Sequence, residues 1–528
     1  MQVALETLLV AATGGLPMNL GPANPAPFQA QDLPGWPLRD YQAAMLRQAT
    51  GMMRAGVRRI LLVLPTGGGK TMMAAAMQGA AAAHGWDSQF LVHRRELVDQ
   101  TSRTFSELGV AHGFVAAGHP FDPAADVLIA GVQTLVGRLG RVAVPALVIP
   151  DEAHHATATT WVTVLDAYGD AYVIGLTATP ERLDGRGLKD KFDAMIVGPS
   201  TADLIAWGYL SPFDYYAPGD PDTEGVKRTA GDFNRGAIAE IMDKPKLVGD
   251  VVEHYLRLAR GERGIVFAAS REHSRHMAEA FRSEGVRAAH VDGDSKDRDE
   301  LVNAFRAGDL DVMTNVDLFG EGFDVPDIVY CALARPTQSL SLYLQHCGRD
   351  LRAVYAENRD LSTIEARLAA IASGPKPRGI ISDHAGNFWR HGWPDTPRCW
   401  SLEGREGRAR GSVNADAMAI RQCMTCYRVA PSTMKTCPGC GEIFLGQPRV
   451  LRTEAGTLTK LERAAIREEA AAAKVVERRR HAMEERRCKT HGDLVRLAEG
   501  RGYKNPEDWA SVRKKTRARA AARHARPS

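Results

Sequence analysis

The stretch RRILLVLPTGGGKT, Arg58 to Thr71, constrains this chain more than any other. Its four apolar residues Ile60 to Val63 read as a buried strand of a parallel sheet, and the alanine- and methionine-rich run after Lys70 reads as the helix that follows. Strand, glycine loop, helix is the context that a phosphate cradle needs. Gly67, Gly68 and Gly69 carry no side chain, so the turn that begins at Pro65 and Thr66 can aim backbone N–H groups at an anion, beside the positive end of the helix. Lys70 supplies a point charge for the β- and γ-phosphates of a nucleotide, and the Thr71 hydroxyl supplies a magnesium ligand. The strict pattern opens with glycine where this chain has Leu64, and glycine-rich turns without ligands are common, so this stretch needs support from the rest of the chain.

A chain of 528 residues is too long for one core; at about 150 residues per domain it suggests three or four units. No run of eighteen apolar residues is present, so no membrane span is expected. The first basic residue is Arg39, which leaves the apolar Val3 to Ala12 stretch without the positive flank of a secretory signal, and the expected location is the cytoplasm. The net charge of +4 is unevenly spread: residues 450 to 528 hold 21 Lys/Arg against 11 Asp/Glu, so an acidic polymer would be felt by the tail. Four of the eight cysteines are grouped as two CxxC pairs. With no export signal, such grouping favours a metal over disulfides.

Residues 1–37 include a Gly-, Pro- and Asn-rich segment that reads as a flexible lead-in. From Leu38 the texture becomes an alternation of apolar strands and amphipathic helices. Ile60–Leu64, Gln89–Val92, Val127–Ala130, Ala146–Ile149 and Tyr172–Leu176 are strand candidates, and Arg94 to Leu108 has helical spacing. That alternation predicts a doubly wound α/β domain with a mostly parallel sheet over residues 38–240. A second block, residues 241–372, has strand candidates at Ile265–Ala268, Ala289–Val291, Asp311–Thr314 and Ile328–Ala332 but no phosphate loop.

Ligands of such sheets gather at the carboxyl ends of strands. There, after Ala146–Ile149 and Pro150, stand Asp151, Glu152, Ala153, His154 and His155. An acidic residue near a phosphate loop can hold Mg²⁺ through water, and a neighbouring glutamate can orient and deprotonate an attacking water. A DE pair can also simply place negative charge at a helix N-terminus. Pro150 removes one ladder N–H, which leaves the anchoring of Asp151 open.

The order of these motifs resembles the superfamily 2 helicases and translocases of the DEAH-box and type III restriction-motor kind, over roughly residues 38 to 352. Leu38-Arg39-Asp40-Tyr41-Gln42 looks like the adenine-reading segment, with Gln42 matched to the base-contacting glutamine. LPTGGGKT is similar to motif I and PDEAHH to motif II. VHRREL at Val92–Leu97 and GVQTL at Gly131–Leu135 resemble segments that grip the phosphates of one strand, which would assign Arg94, Gln133 and Thr134 to nucleic acid. LTATP at Leu176–Pro180 resembles motif III. The resemblance implies two tandem RecA-like domains, and coupling of hydrolysis to movement through His154, Thr177, Thr179 and Gln345. FGEGFDVP at Phe319–Pro326 and QHCGRDLR at Gln345–Arg352 resemble motifs V and VI. By that resemblance Arg349 and Arg352 reach across the cleft to the γ-phosphate, and Gly322 and Asp324 link ribose or nucleic acid to the site. A planar guanidinium supplied by the other domain stabilises the charge of phosphoryl transfer only when the cleft is closed. Arginines three apart can otherwise be a solvated helix face, and Asp350 between them could tether one.

Residues 373–422 read as a connector, in which DHAGNFWRHG, Asp383 to Gly392, reads either as a turn with buried aromatics or, by resemblance, as the segment that follows the motor in RadD-like and phage-encoded helicases. Next, Cys423-x2-Cys426-x10-Cys437-x2-Cys440 has the spacing of a zinc ribbon, expected over 423–445, in which four thiolates close the coordination of Zn²⁺ and leave no catalytic position. The tail, 446–528, is helical by composition from Thr457 to about Arg487. Farther on, Lys514 and Lys515 belong to a basic run with Tyr503 and Trp509, a mixture that suits phosphates and bases.

Three readings stay open. One is an ATP- and Mg²⁺-dependent helicase, for which the resemblance favours DNA, 3′→5′ movement and a role in replication, recombination or repair. The second is a non-unwinding translocase working with restriction, defence or repair proteins, and the third a zinc-dependent nucleic-acid binding protein whose motor has decayed. Intact Lys70, Asp151, Glu152, Arg349 and Arg352 count against the last.

Overall fold

A computed structural model describes residues 36–182, 185–217, 226, 228–229, 232–295, 297–316, 325–404, 420–423, 425–431, 434–443, 490–500, 507 and 511. The chain divides into two compact units, Met1–Ala415 and Asp416–Ser528. The first unit holds two parallel sheets. Strands β1 (Arg59–Val63), β2 (Ser88–Val92), β3 (Gly113–Val115), β4 (Val127–Gly131), β5 (Leu147–Pro150), β6 (Tyr172–Thr177) and β7 (Ala194–Val197) form the first, in the order β3-β4-β2-β5-β6-β1-β7. Every pairing in it is parallel. Strands of the RILLV and YVIGLT kind are buried almost end to end, RILLV from Ile60 onward, because helices cover both faces of such a sheet. Accordingly its core splits into two clusters. Ile60, Leu62, Phe90 and Ile174 meet Met73 and Met77 on one side, while Leu61, Val63, Val148 and Val173 meet Trp161, Leu165 and Phe192 on the other.

The second sheet draws on β8 (Phe213–Tyr216), β11 (Gly264–Ala268), β12 (Ala288–Val291), β13 (Val312–Asn315), β14 (Tyr330–Ala334) and β15 (Gly379–Asp383). They lie in the order β12-β13-β11-β14-β15-β8, all parallel. Short strands β9 (Arg228–Thr229) and β10 (Asp232–Phe233) pair with each other outside it. Both ends of this domain differ from the sequence expectation. β8 lies within 38–240 yet pairs in the second sheet, and β15 comes from 373–422, which was expected to be a connector. Each is a short strand set among turn-forming residues, and its partner is distant in sequence, so no local periodicity announces it. DHAGNFWRHG runs from the end of β15 into the short helix Asn387–His391. There the Asp383 carboxylate accepts the Phe388 and Ala385 N–H groups and the Tyr215 hydroxyl, while Phe388 packs 5.1 Å from Trp393, so the buried-aromatic turn is what the structure contains.

In the second unit an antiparallel hairpin, β16 (Ile420–Gln422) and β17 (Arg428–Pro431), carries the first cysteine pair, and a helix spans His491–Gly500. The helical stretch expected from Thr457 to Arg487 lies outside the described residues, as do Gly322, Asp324, Lys514 and Lys515. Among the described residues no helix is long and apolar enough to cross a membrane.

Candidate active site

β1 delivers the loop Leu64–Gly69 to the carboxyl edge of the first sheet, and the helix Lys70–Ala83 starts directly after it. Gly67 and Gly69 have φ of +81° and +86°, the left-handed region that disfavours any side chain. A Cβ on Gly69 would overlap Gln42 Nε2, and one on Gly68 would lie 2.6 Å from Leu64 Cγ. Leu64 therefore occupies the space beneath the loop, fully buried, in the position where the strict pattern has glycine. The helix N-terminus has no side-chain cap, which leaves its dipole to an anion. Lys70 Nζ lies 3.5 Å from Leu64 O and 3.8 Å from Glu152 Oε1. This loop fits the phosphates of ATP.

On the other side of the loop Gln42 is buried; it accepts from Arg39 N at 2.8 Å and donates to Gly68 O at 3.0 Å. Tyr41 Oη also donates to Gly68 O, at 2.8 Å. Arg39 and Arg367 each stack 4.3 Å from the Tyr209 ring, and Tyr41 meets Tyr209 edge-on at 5.6 Å. Tyr209, Trp207 and Arg367 were not singled out in the sequence; they belong to this corner only because the interdomain crossing and the Ile364–Ala372 helix pass it.

Asp151 and Glu152 stand, both buried, at the carboxyl end of β5. Pro150 is the last residue of that strand, and Asp151 N resumes the ladder by donating to Leu91 O at 2.9 Å, so the proline does not loosen the aspartate. Glu152 has φ +46°, an uncommon backbone for glutamate and of the kind found at functional turns. From it a chain of contacts runs across the cleft. His154 Nδ1 lies 3.4 Å from Glu152 Oε2 and 3.3 Å from Thr177 Oγ1. Thr177 Oγ1 donates to Thr179 O at 2.8 Å, and Thr179 Oγ1 donates to Ser341 Oγ at 2.6 Å. Ser341 belongs to the second domain, in the first turn of the helix Leu340–Asp350. Sequence reasoning missed it; its only signal was a position one turn before Gln345.

The Leu340–Asp350 helix, capped by Ser339, carries Gln345 and Arg349, both buried, and Arg352 follows it. A Cβ on Gly348 would lie 2.6 Å from Thr66 Cβ, and one on Gly67 would lie 3.8 Å from Arg352 Cγ, so this helix end abuts the phosphate loop. Ser211 N donates to Leu351 O at 2.8 Å, which ties the arginine segment to the interdomain crossing. Burial lowers the Arg352 guanidinium to about 10. Asp350 does not tether an arginine. It is fully buried 3.7 Å from Lys376 Nζ, which also donates to Asp350 O and, at 3.3 Å, to Pro326 O. Burial raises the Asp350 carboxyl to about 7, against the pull of Lys376. A buried lysine 26 residues downstream left no local pattern to read.

The residues matched to nucleic-acid grips lie on other elements, and Arg94 is linked to the cluster through His93, whose ring lies 4.6 Å from that of His155, itself 4.2 Å from His154. Arg94, half-buried, precedes the helix Arg95–Glu107 and donates to His93 Nε2 at 3.3 Å. Gln133 is exposed and Thr134 half-exposed, in the helix Val132–Val136 after β4. Glu96, within VHRREL, pairs with Arg298 of the second domain at 2.6 Å.

In the second unit the Sγ atoms of Cys423, Cys426, Cys437 and Cys440 all lie within 4.8 Å of one another, with 3.4 Å from Cys423 to Cys440 and 3.5 Å from Cys426 to Cys437. A tetrahedral zinc with Zn–S of about 2.3 Å needs sulfurs about 3.8 Å apart, and a disulfide needs about 2.05 Å, so the set fits zinc. Gly439 N donates to Cys437 Sγ at 3.4 Å, as the turn of a knuckle requires.

Two parallel α/β domains with a phosphate loop in one and an arginine-bearing helix of the other against it define a class, the two-domain nucleic-acid motor ATPases. Residues 36–182 match the family model of the type III restriction enzyme res subunit, and residues 244–354 that of the helicase conserved C-terminal domain. A 51.5 kDa protein of a Lactococcus phage is 34% identical over 382 residues, 72% of this chain and 77% of the phage protein. IRC3 of Saccharomyces cerevisiae, assigned as an ATP-dependent helicase, is 29% identical over 372 residues, 66% of this chain and 54% of the yeast protein. In fold, a fragment assigned to the HsdR subunit of a type I restriction enzyme from Vibrio vulnificus superposes with a TM-score of 0.53 at 22% identity, covering 68% of this chain and 66% of that one. The chain belongs to the superfamily 2 helicases of the restriction-motor type, and it is an ATP-hydrolysing enzyme.

Proposed function

We propose that this chain moves along one strand of DNA in the 3′→5′ direction, driven by ATP, and serves replication, recombination or repair. While DNA, polarity and process follow the family resemblance, the observation that carries the ATP-driven movement in this reading is the contact chain from Lys70 and Glu152 through His154, Thr177 and Thr179 to Ser341. It connects the phosphate loop of one domain to the arginine helix of the other, which is what coupling hydrolysis to domain movement requires. Mg²⁺, when bound with ATP, neutralises charge on the β- and γ-phosphates. Lys70 and the loop amides hold those phosphates, and Thr71 and Asp151 hold the metal. Glu152 orients the attacking water and accepts its proton, and Arg349 and Arg352 stabilise the charge that develops, so closure of the cleft and hydrolysis become one event. Gln42 and Tyr41 set the shape of the loop from the adenine side. Arg94, Gln133 and Thr134 contact the track, Gly322 and Asp324 link ribose or nucleic acid to the site, Lys514 and Lys515 add electrostatic grip, and Cys423, Cys426, Cys437 and Cys440 hold a structural zinc.

The match to restriction-enzyme motors favours a second reading, a translocase that moves on duplex DNA without separating it and works beside partner subunits. ATP turnover measured without polymer and with single-stranded DNA, duplex DNA or single-stranded RNA, at two salt concentrations, separates the two. Stimulation by single-stranded DNA that fades with salt is the expected result. Stimulation by duplex alone supports the translocase, and no stimulation by any of them sinks both.

A further inference from the structure

Among the described residues the chain passes between the two motor domains twice. The first crossing is the chain between β7 and β8. The second is the segment 393–404, which returns from the second domain to the first. Its start is anchored in the second domain: Trp393 packs 5.1 Å from Phe388 and 5.9 Å from Tyr215, and Tyr343 Oη donates to Gly392 O at 2.8 Å. Arg398 then closes the turn on itself, its guanidinium donating to Thr396 O at 2.8 Å, Trp393 O at 2.9 Å, and His391 O and Pro394 O at 3.3 Å. Its end is docked on the first domain. Trp400 and Leu402 pack against the cluster of Trp161, Leu188 and Phe192. Leu188 N and Lys189 N donate to Leu402 O at 2.8 and 3.1 Å, Lys189 pairs with Glu403, and Arg186 bridges to Gly404. The backbones cross so closely at Gly187 that a Cβ there would overlap Leu402 O and Gly404 N.

This segment also lines the cleft. Pro394, Thr396, Arg398 and Trp400 share one cavity with Thr66 of the phosphate loop and Gly348 of the arginine helix. We propose that residues 393–404 are a positioning strap for ATP turnover. By docking at Gly187 the strap raises the effective concentration of the second domain at the first, and so holds Arg349 and Arg352 toward the phosphate loop before any nucleic acid has bound. Strap and nucleic acid then favour the same closed arrangement, so each makes the other less necessary.

Gly187→Val tests this, because the residue touches neither the phosphate loop nor the arginines. Leu402→Ser loosens the same joint from the strap side, and so keeps the test open if the valine disturbs folding; thermal unfolding checks both variants. Two readouts apply. The first, without nucleotide or DNA, is energy transfer between dyes carried by unnatural residues at Ser106 and Ser283, exposed on helices of the first and second domains. Transfer should fall in both variants. The second rests on the ATP-driven DNA motor reading. Turnover without DNA should fall about tenfold at unchanged KM for ATP, and saturating single-stranded DNA should restore kcat to within about twofold of wild type. Unchanged transfer in folded variants overturns the strap. So does a kcat deficit that saturating DNA leaves in place. A wild type that DNA does not stimulate would defeat the DNA-motor reading, while the dye measurement would still judge the strap.

Discussion

In the first motor domain β1 runs into a glycine loop and a helix with no side-chain cap, whereas in the second β11 runs into Ser270, whose hydroxyl accepts from His273 N at 3.1 Å. The sheets are both parallel and doubly wound, and β1 from Ile60 to Val63 and the whole of β11 are apolar and buried. At one helix N-terminus the positive end is left for a ligand; at the other the chain supplies its own oxygen. Asn234, Ser339 and Thr363 repeat that self-capping in the second domain. Under the proposed roles, two copies of one architecture thus divide the labour, one presenting a site and the other presenting the charge that completes it.

The largest expected effect on this division comes from Glu152→Gln, which under the proposed roles removes the base and spares the loop. ATP turnover should fall by about 10³-fold or more while nucleotide binding, measured with a fluorescent analogue, stays within a few-fold of wild type. Next in size is the joint between the domains. Thr179→Val or Ser341→Ala removes one buried hydrogen bond worth about 1 to 1.5 kcal/mol, and kcat with DNA should drop about tenfold at constant KM. An effect on KM alone would mean that the bond serves binding and not coupling. Smaller again, Ser270→Ala should cost about 1 kcal/mol of stability in urea unfolding and leave ATP turnover untouched, as befits a capped end without a ligand. An effect of a different kind, a slope in pH, concerns Asp350. Burial holds its carboxyl near 7, against about 3.9 for a free aspartate, so between those values the folded chain keeps a proton that the unfolded chain has released. Stability from this group is therefore lost as pH rises from about 4 to about 7. Asp350→Asn removes that slope, so urea unfolding should favour the variant more at pH 7 than at pH 5.

The two domains were also unequally legible. LPTGGGKT, PDEAHH and LTATP each follow a strand of strong apolar pattern, so the chain declares both the element and the chemistry at its end. The same holds for the cysteines, whose grouping is local. In the second domain the arginines were readable from QHCGRDLR, but β8 and β15 were not, since each is paired only with strands remote in sequence. Ser341, Lys376 and the strap share that character. Thr179 and Ser341 are 162 residues apart, and nothing near either announces the other. The Asp350 tether went the other way, because its buried partner lies on a part of the chain that read as a connector.

Whether the second domain completes the site of the first is most directly measured on Arg349→Ala and Arg352→Ala. Under the proposed roles both variants bind the ATP analogue within a few-fold of wild type, while turnover with saturating single-stranded DNA falls by about 10³-fold, the scale of a guanidinium acting on phosphoryl transfer. Turnover within twofold of wild type in both would mean that no charge crosses the cleft, and the account of a divided site would be wrong.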